Sequence, residues 1–459
     1  MPNLETKFVA ANTLIGLDKP KQQMLMPVEI ADLEKELEKV RHKHFEAKNR
    51  RDKLKCQKED KAIRQKIAKI LQDSGWQSDA ADKIARFDIY DQNTFADFFD
   101  PEWMFGLKDG FDVVIGNPPY GADYSANEKK HFLKQYLSTK TITGIQKGSL
   151  DTFTIFIEFG YNVLKKFGNL NYIVPISITS SDSMTALHKL LEDNCEIIKV
   201  SSYSVRPQPV FENSVVDTSI IMFNKTNTKC KHIYSTKMYR KSKNYDLQHL
   251  VNNLEFIEVK DLKLQGRYPK ISYPIEKEIL KKILKQDKTI FDLLISDGKP
   301  IYYRTSGGRY FKVITNYSTG STKEKPIFLC KSISNSIGAI LSSNLFFWYY
   351  QIFSNNHDLK SYEIESFTIP YSKLCDKEII EEIEKLYNEY LKDIESNANV
   401  RQTTRYANID SFKEYKIGKS KKLIDRIDDM IGPLYGLTKE QIEFIKNYEI
   451  EFRLKEDID

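Results

Sequence analysis

The chain has 459 residues, with 70 Lys and Arg against 64 Asp and Glu, for a formal net charge of +6. That length allows two or three domains with their own cores, and the mild basicity admits a phosphate-binding face without defining one. The N-terminus is polar and no apolar run approaches membrane length, so a cytoplasmic protein with no membrane partner is expected. Cys56, Cys195, Cys230, Cys330 and Cys375 have no paired spacing, which predicts reduced thiols, no disulfides and no metal site.

Residues 28–84 form the first biased segment. Leu33, Leu37, Val40, Leu54, Ile63, Ile67 and Leu71 recur at helical spacing among Lys, Arg and Glu, which predicts a long amphipathic helix or a helical hairpin. The basic run from Arg41 to Lys55 either touches phosphates or forms a solvated face on a helix packed against the following sheet.

Residues 85–225 alternate β-rich runs with helical ones. Strands are predicted at 113–115, 172–174, 197–200 and 219–223, with helices near 127–137, 151–166 and 182–193. This alternation argues a layered α/β sheet, whose ligands sit at the carboxyl ends of the strands. The strand at 215–223 has no helix before it and is expected at an antiparallel edge.

The stretch from Phe111 to Tyr120 carries the chemistry. Val113, Val114 and Ile115 lead through Gly116 into Asn117-Pro118-Pro119-Tyr120. The two prolines fix φ and remove two backbone donors. Asn117 offers a side-chain carbonyl, Pro118 a backbone carbonyl and Tyr120 an aromatic face. Such a set suits a planar base with an exocyclic amine: two acceptors take the two N–H bonds while the ring stacks on tyrosine. Two acceptors also localise the nitrogen lone pair as charge develops in the transition state. An amine reached this way must leave the duplex stack. Two further residues have two readings each, Asp151 as an N-cap or a pocket residue and Phe211 as a stacking partner or a core phenylalanine, while Asp112 makes a structural hydrogen bond.

These residues resemble the amino-methyltransferase signature of adenine-N6 DNA methyltransferases, and the flanks resemble the type IIG-like methylases of type II restriction–modification systems. The flanking matches are Arg86-Phe-Asp-Ile-Tyr-Asp91, Phe98-Phe-Asp-Pro-Glu-Trp-Met104, Gly168-Asn-Leu-Asn-Tyr-Ile-Val-Pro175 and the segment from Phe211 to Phe223. The resemblance implies S-adenosylmethionine as methyl donor, duplex DNA as partner, and a fold made of a partial Rossmann-like methyltransferase sheet with a helical insertion. It also implies that Met1 to Leu14 is a strand and loop following the cofactor turn, with Asn12 near the target base. No glycine-rich turn of the cofactor-cradling kind follows a strand; Gly106 and Ser306-Gly307-Gly308 are the candidates. The chain is therefore expected to hold the later part of a catalytic domain (residues 1–27 and 85–225). A separate or missing N-terminal methylase or nuclease part would complete it. The alternative is an inactive DNA-binding specificity module.

From 226 to 375 the composition turns to Lys, Tyr, Ser and Asn. By the resemblance, a mixed α+β target recognition domain occupies this place. Tyr302-Tyr-Arg-Thr-Ser-Gly-Gly-Arg-Tyr-Phe-Lys312 interleaves aromatic, basic and glycine residues, which makes Arg304, Arg309 and Lys312 the candidate DNA contacts. The aromatic cluster at 342–350 reads as core. Glu258-Val-Lys260, with Asp246 upstream, matches a nuclease-like acid-x-Lys pattern that a chain this rich in Lys and Glu generates by chance. Residues 376–459 return to helical spacing, with Ile379, Ile383, Leu386, Tyr390, Leu423, Ile427 and Ile431, and are expected to close the recognition domain.

Overall fold

The structure is a computed structural model that describes residues 3–17, 28–76, 78–91, 93–212, 214–243, 246–306, 311–402 and 411–453. It divides into two compact units. The first holds Met1–Tyr136, Leu150–Asn171 and Asn224–Asn227; the second holds Leu137–Ser149, Tyr172–Phe223 and Thr228–Asp459.

In the first unit the amphipathic segment is a helical hairpin, α1 (Val28–Glu46) and α2 (Arg50–Asp73). Asn49 starts α2, its side chain accepting from the Asp52 amide at 2.9 Å. Leu37, Val40, Ile63, Ile67 and Leu71 are buried together with Trp76 and with Ala81 and Ile84 of α3 (Ser78–Arg86). Trp103 of α4 (Pro101–Phe105) completes that core, while Leu54 lies exposed. Asp60, at 0% exposure, is enclosed within the hairpin. It accepts from Arg41 Nε at 2.9 Å, Arg64 Nε at 2.6 Å and the Tyr90 hydroxyl at 3.2 Å. Arg41 also donates to the carbonyls of Trp103 and Met104, so the first cation of the basic run is a structural residue.

β1 (Phe111–Gly116) lies beside β2 (Leu164–Pro175), whose residues 164–171 belong to this unit. The two backbones meet where side chains do not fit. A Cβ on Gly168 would stand 2.8 Å from the Phe111 carbonyl oxygen. One on Gly110, at φ +96, would stand 2.4 Å from that of Val163. Between the strands run α5 (Ala126–Gln135) and α6 (Thr152–Val163). The second helix ends three residues earlier than the sequence predicts, because β2 begins directly at Leu164.

The second unit contains α7 (Ser177–Ser180), α8 (Thr185–Asn194), β3 (Cys195–Ser204), β4 (Thr218–Lys225, through 223 here), β5 (His232–Arg240), α9 (Leu247–Asn252) and β6 (Ile257–Glu258). β4 sits between the end of β2 and β3, so it is an interior strand and not the edge expected from sequence. The Ser202 and Ser219 hydroxyls lie 3.2 Å apart, and the Ile176 amide donates to the Asp217 carbonyl at 2.9 Å. β3 pairs in parallel with β5, from Ile197 opposite His232 to Ser204 opposite Arg240. β6 adds antiparallel to β5. The sheet thus runs past residue 225, where the sequence reading ends the catalytic region.

Beyond it, α10 (Pro274–Leu284) and β7 (Lys288–Thr289) precede β8 (Leu294–Arg304), β9 (Ile314–Thr315) and β10 (Glu324–Leu329). The last three form an antiparallel sheet in the order β10-β8-β9. α11 (Ser334–Ser342) and α12 (Asn344–Phe353) are buried along their whole lengths, so the aromatic cluster is core. They pack against α15 (Lys377–Ser396), α16 (Lys421–Ile431) and α17 (Lys439–Asn447), after α13 (Ser361–Glu365) and α14 (Tyr371–Leu374). The α16 residue Asp428 holds the start of α12, accepting from the amides of Asn344 and Leu345, both at 3.0 Å. The protein is α/β with a parallel pair in its main sheet, followed by a smaller antiparallel sheet and helices. No helix among the described residues is long and apolar enough to cross a membrane.

Candidate active site

Asn117-Pro118-Pro119-Tyr120 leaves the carboxyl end of β1. Asn117 is exposed, Pro118 buried and Tyr120 half-buried. The Tyr120 hydroxyl is enclosed with no hydrogen-bond partner among the described residues, and burial alone pushes its pKa up to about 12. The phenol therefore stays neutral over the ordinary pH range, and the ring is the usable part of the side chain. Tyr120→Phe is accordingly expected to leave stability unchanged or raise it, since the buried oxygen gains nothing. A drop in melting temperature of several degrees in thermal unfolding would show that the hydroxyl is bonded.

The loop is anchored on its far side. Ser125 and Glu128 form a capping box at the start of α5, the Ser125 amide donating to the Glu128 carboxylate at 2.9 Å. Tyr124 packs edge-on against Phe132, centroids 4.8 Å apart. Tyr124 and Phe132 share an apolar cluster with Leu14, Tyr136 and Ile155, and the Tyr136 hydroxyl donates to the Leu14 carbonyl at 2.9 Å. Asn12 stands two residues before Leu14, its amide donating to the Ala96 carbonyl at 2.8 Å. Asp151 occupies the N-cap position of α6, whose Ile155 and Phe159 pack into or against the same cluster; its side chain makes no capping bond. The segments carrying Tyr120, Asn12 and Asp151 thus converge on one core within one unit. Leu14, Tyr124 and Tyr136, which sequence reasoning passed over, join them; their only signal was an apolar or aromatic side chain near a motif. Asp112 contacts Lys165 of β2, which holds its carboxyl below the usual range.

Phe211 belongs to the second unit and is 36% exposed, so it is not a core phenylalanine there. Two of the expected DNA contacts take other roles. Lys312 is 5% exposed with its amine 4.2 Å from the Tyr350 ring centre, which makes it an interior cation and corrects the outward-facing reading. Arg304 donates to Thr319 Oγ1 at 3.1 Å and to the Lys413 carbonyl, and lies 5.0 Å from the Tyr415 ring, so protein groups engage its guanidinium. Arg309 lies outside the described residues. The nuclease-like residues are engaged as well: Glu258 bonds His232 at 2.9 Å and Asp246 caps α9.

The described residues do not fit a cradle for S-adenosylmethionine. Gly106 caps α4 at φ +74, and Gly307-Gly308 lie outside the described residues. Among the described connections from a strand to an α-helix none holds more than one glycine, as with Gly121 after β1 and Gly266 after β6.

Comparison with known proteins shows similarity to methyltransferases of restriction–modification systems. Residues 12–211, which include the Asn117–Tyr120 loop, match the Eco57I restriction-modification methylase family. The type II restriction enzyme and methyltransferase RM.Eco57I of Escherichia coli is 29% identical over 163 residues, covering 36% of this chain and 15% of its own length. A Methanocaldococcus jannaschii protein assigned as a type II restriction enzyme and methyltransferase is 30% identical over 126 residues, covering 28% of this chain and 10% of its own. The chain therefore spans about a seventh or less of these relatives. The solved type IIG restriction endonuclease BpuSI aligns over 76% of this chain and 55% of its own at 10% identity, with a TM-score of 0.29, too low to add to the argument.

Proposed function

We propose that this chain presents the N6 amine of an adenine, flipped out of duplex DNA, for S-adenosylmethionine-dependent methylation in a restriction–modification system. The observation that carries the reading is the Asn117-Pro118-Pro119-Tyr120 loop at the carboxyl end of β1, with two acceptors and a ring in sequence. In this reading Asn117 Oδ1 and the Pro118 carbonyl each accept one N–H of the amine, drawing nitrogen toward a tetrahedral geometry with a localised lone pair. Pro119 stiffens the turn, and the Tyr120 ring stacks on the extruded base. Asn12 and Asp151 shape the pocket from the neighbouring segments. Target selection is assigned to residues 226–375, less the strands β5 and β6 that extend the main sheet. Because no described cradle fits the methyl donor, the chain's own part in the reaction is to bind and activate the amine. A cytoplasmic setting follows from DNA as substrate.

The test is transfer of tritiated methyl groups to duplex DNA, by the chain alone and with the polypeptide encoded immediately upstream, followed by digestion to nucleosides. Label on N6-methyldeoxyadenosine is expected. Label on N4-methyldeoxycytidine would overturn the adenine assignment. Duplex binding with no labelled nucleoside in either preparation would favour an inactive specificity module instead.

A further inference from the structure

We infer that the solvent face of α2 is a second, sequence-independent contact with the DNA backbone, apart from the Asn117–Tyr120 loop. The inference rests on the DNA reading above for the identity of its partner. α2 has two opposed faces. Cys56, Asp60, Ile63, Arg64, Ile67 and Leu71 are buried on one side, and Arg51, Lys55, Lys58 and Lys69 are exposed on the other. At about 100° per residue, Arg51, Lys55, Lys58, Lys66 and Lys69 fall within roughly 60° of the line opposite the core. Between Arg51 and Lys69 no acid shares that sector; the exposed Asp73 enters it one turn further on. From Arg51 to Lys69 the stripe runs about 27 Å along the helix axis.

The usual fate of such a face is neutralisation by neighbouring carboxylates, and here it has not occurred. Lys55 alone among these five has an ion pair among the described residues, at 3.9 Å to Glu59 and well exposed. The helix is also held rigidly from behind, by the Asp60 cluster and the apolar core, so it carries its charges as a fixed row.

The partner's chemistry follows from what the stripe lacks. Between Arg51 and Lys69, Gln65 is the one amide in the sector, which leaves little to read base edges and points to phosphates. Membrane adsorption by an amphipathic helix needs a free apolar face, and that of α2 is spent in the core. A row of fixed cations without acids complements a polyphosphate strand.

The measurement is the salt dependence of duplex DNA binding by the full chain. Each phosphate contact adds about 0.9 to the log–log slope, so Arg51→Gln/Lys55→Gln/Lys58→Gln should reduce its magnitude by about 2.7. Between 50 and 200 mM salt, wild type should then lose about 40-fold more affinity than the variant does, on any duplex sequence. Unchanged circular dichroism would confirm that the hairpin is intact. Lys377→Gln/Lys392→Gln/Lys439→Gln removes the same charge from exposed sites outside residues 226–375 and should leave the slope close to wild type. An unaltered slope in the α2 variant, or equal loss in both variants, would overturn the stripe while leaving the DNA reading standing. Better competition by single-stranded RNA of equal length than by duplex DNA would also overturn it. A wild-type chain that retains no duplex at low salt would remove the DNA reading itself, and the stripe's partner with it.

Discussion

Asn117→Ala is expected to lower methyl transfer to duplex DNA by about two to three decades, equivalent to roughly 3–4 kcal/mol of transition-state stabilisation. The reason is timing. Asn117 is exposed in the resting protein, so its carbonyl gains little there, and in the proposed mechanism its bond to the amine strengthens only as nitrogen becomes positive. Duplex binding should change little, since the side chain holds no backbone. Tyr120→Ala should weaken binding of the flipped base, and Tyr120→Phe should retain activity because stacking needs only the ring. Rates from the tritium assay, set beside filter-binding constants for the same variants, separate the two effects. Full activity in Asn117→Ala would sink the amine-acceptor mechanism.

Asp60→Ala should produce the largest loss of stability, about 3–5 kcal/mol, because it leaves two buried guanidinium groups facing each other without a counter-charge. Arg41 and Arg64 both donate to this fully enclosed carboxylate, and Tyr90 adds a third donor. Asp60→Asn keeps an acceptor but not the charge and should fall between the two. Urea unfolding followed by tryptophan fluorescence reads the effect: Trp76 and Trp103 lie in the hairpin core, while Trp348 reports the second unit. A loss below about 1 kcal/mol would mean that the arginines find other partners.

What could be read from sequence was whatever is contiguous. The β-branched runs at 113–115, 197–200 and 219–223 announce their strands, and the Asn117–Tyr120 loop carries its chemistry in four adjacent residues. The first half of β2 was hidden because Lys165, Lys166 and Phe167 break the alternation that returns at Gly168, Leu170, Tyr172 and Val174. The interior place of β4 depends on strands distant in sequence, which no local pattern encodes. Lys312 and Arg41 misled for a related reason. A long cationic side chain reads as surface until the ring or carboxylate that receives it is known, and Tyr350 and Asp60 lie 38 and 19 residues away. The convergence of the Asn12, Tyr124 and Asp151 segments is likewise a tertiary fact.

The burial of α12 on every side bears on how the region from α10 onward could be inherited or exchanged. A piece cut at residue 375 would strip α12 of the α16 and α17 surfaces it packs against and leave its first turn without Asp428. The aromatic residues Phe346, Phe347, Trp348, Tyr349 and Tyr350 would then be uncovered together. Recombination between related genes that broke the chain at that point would yield an insoluble product. Swaps that preserve folding must carry everything from α10 through α17 as one inheritable block.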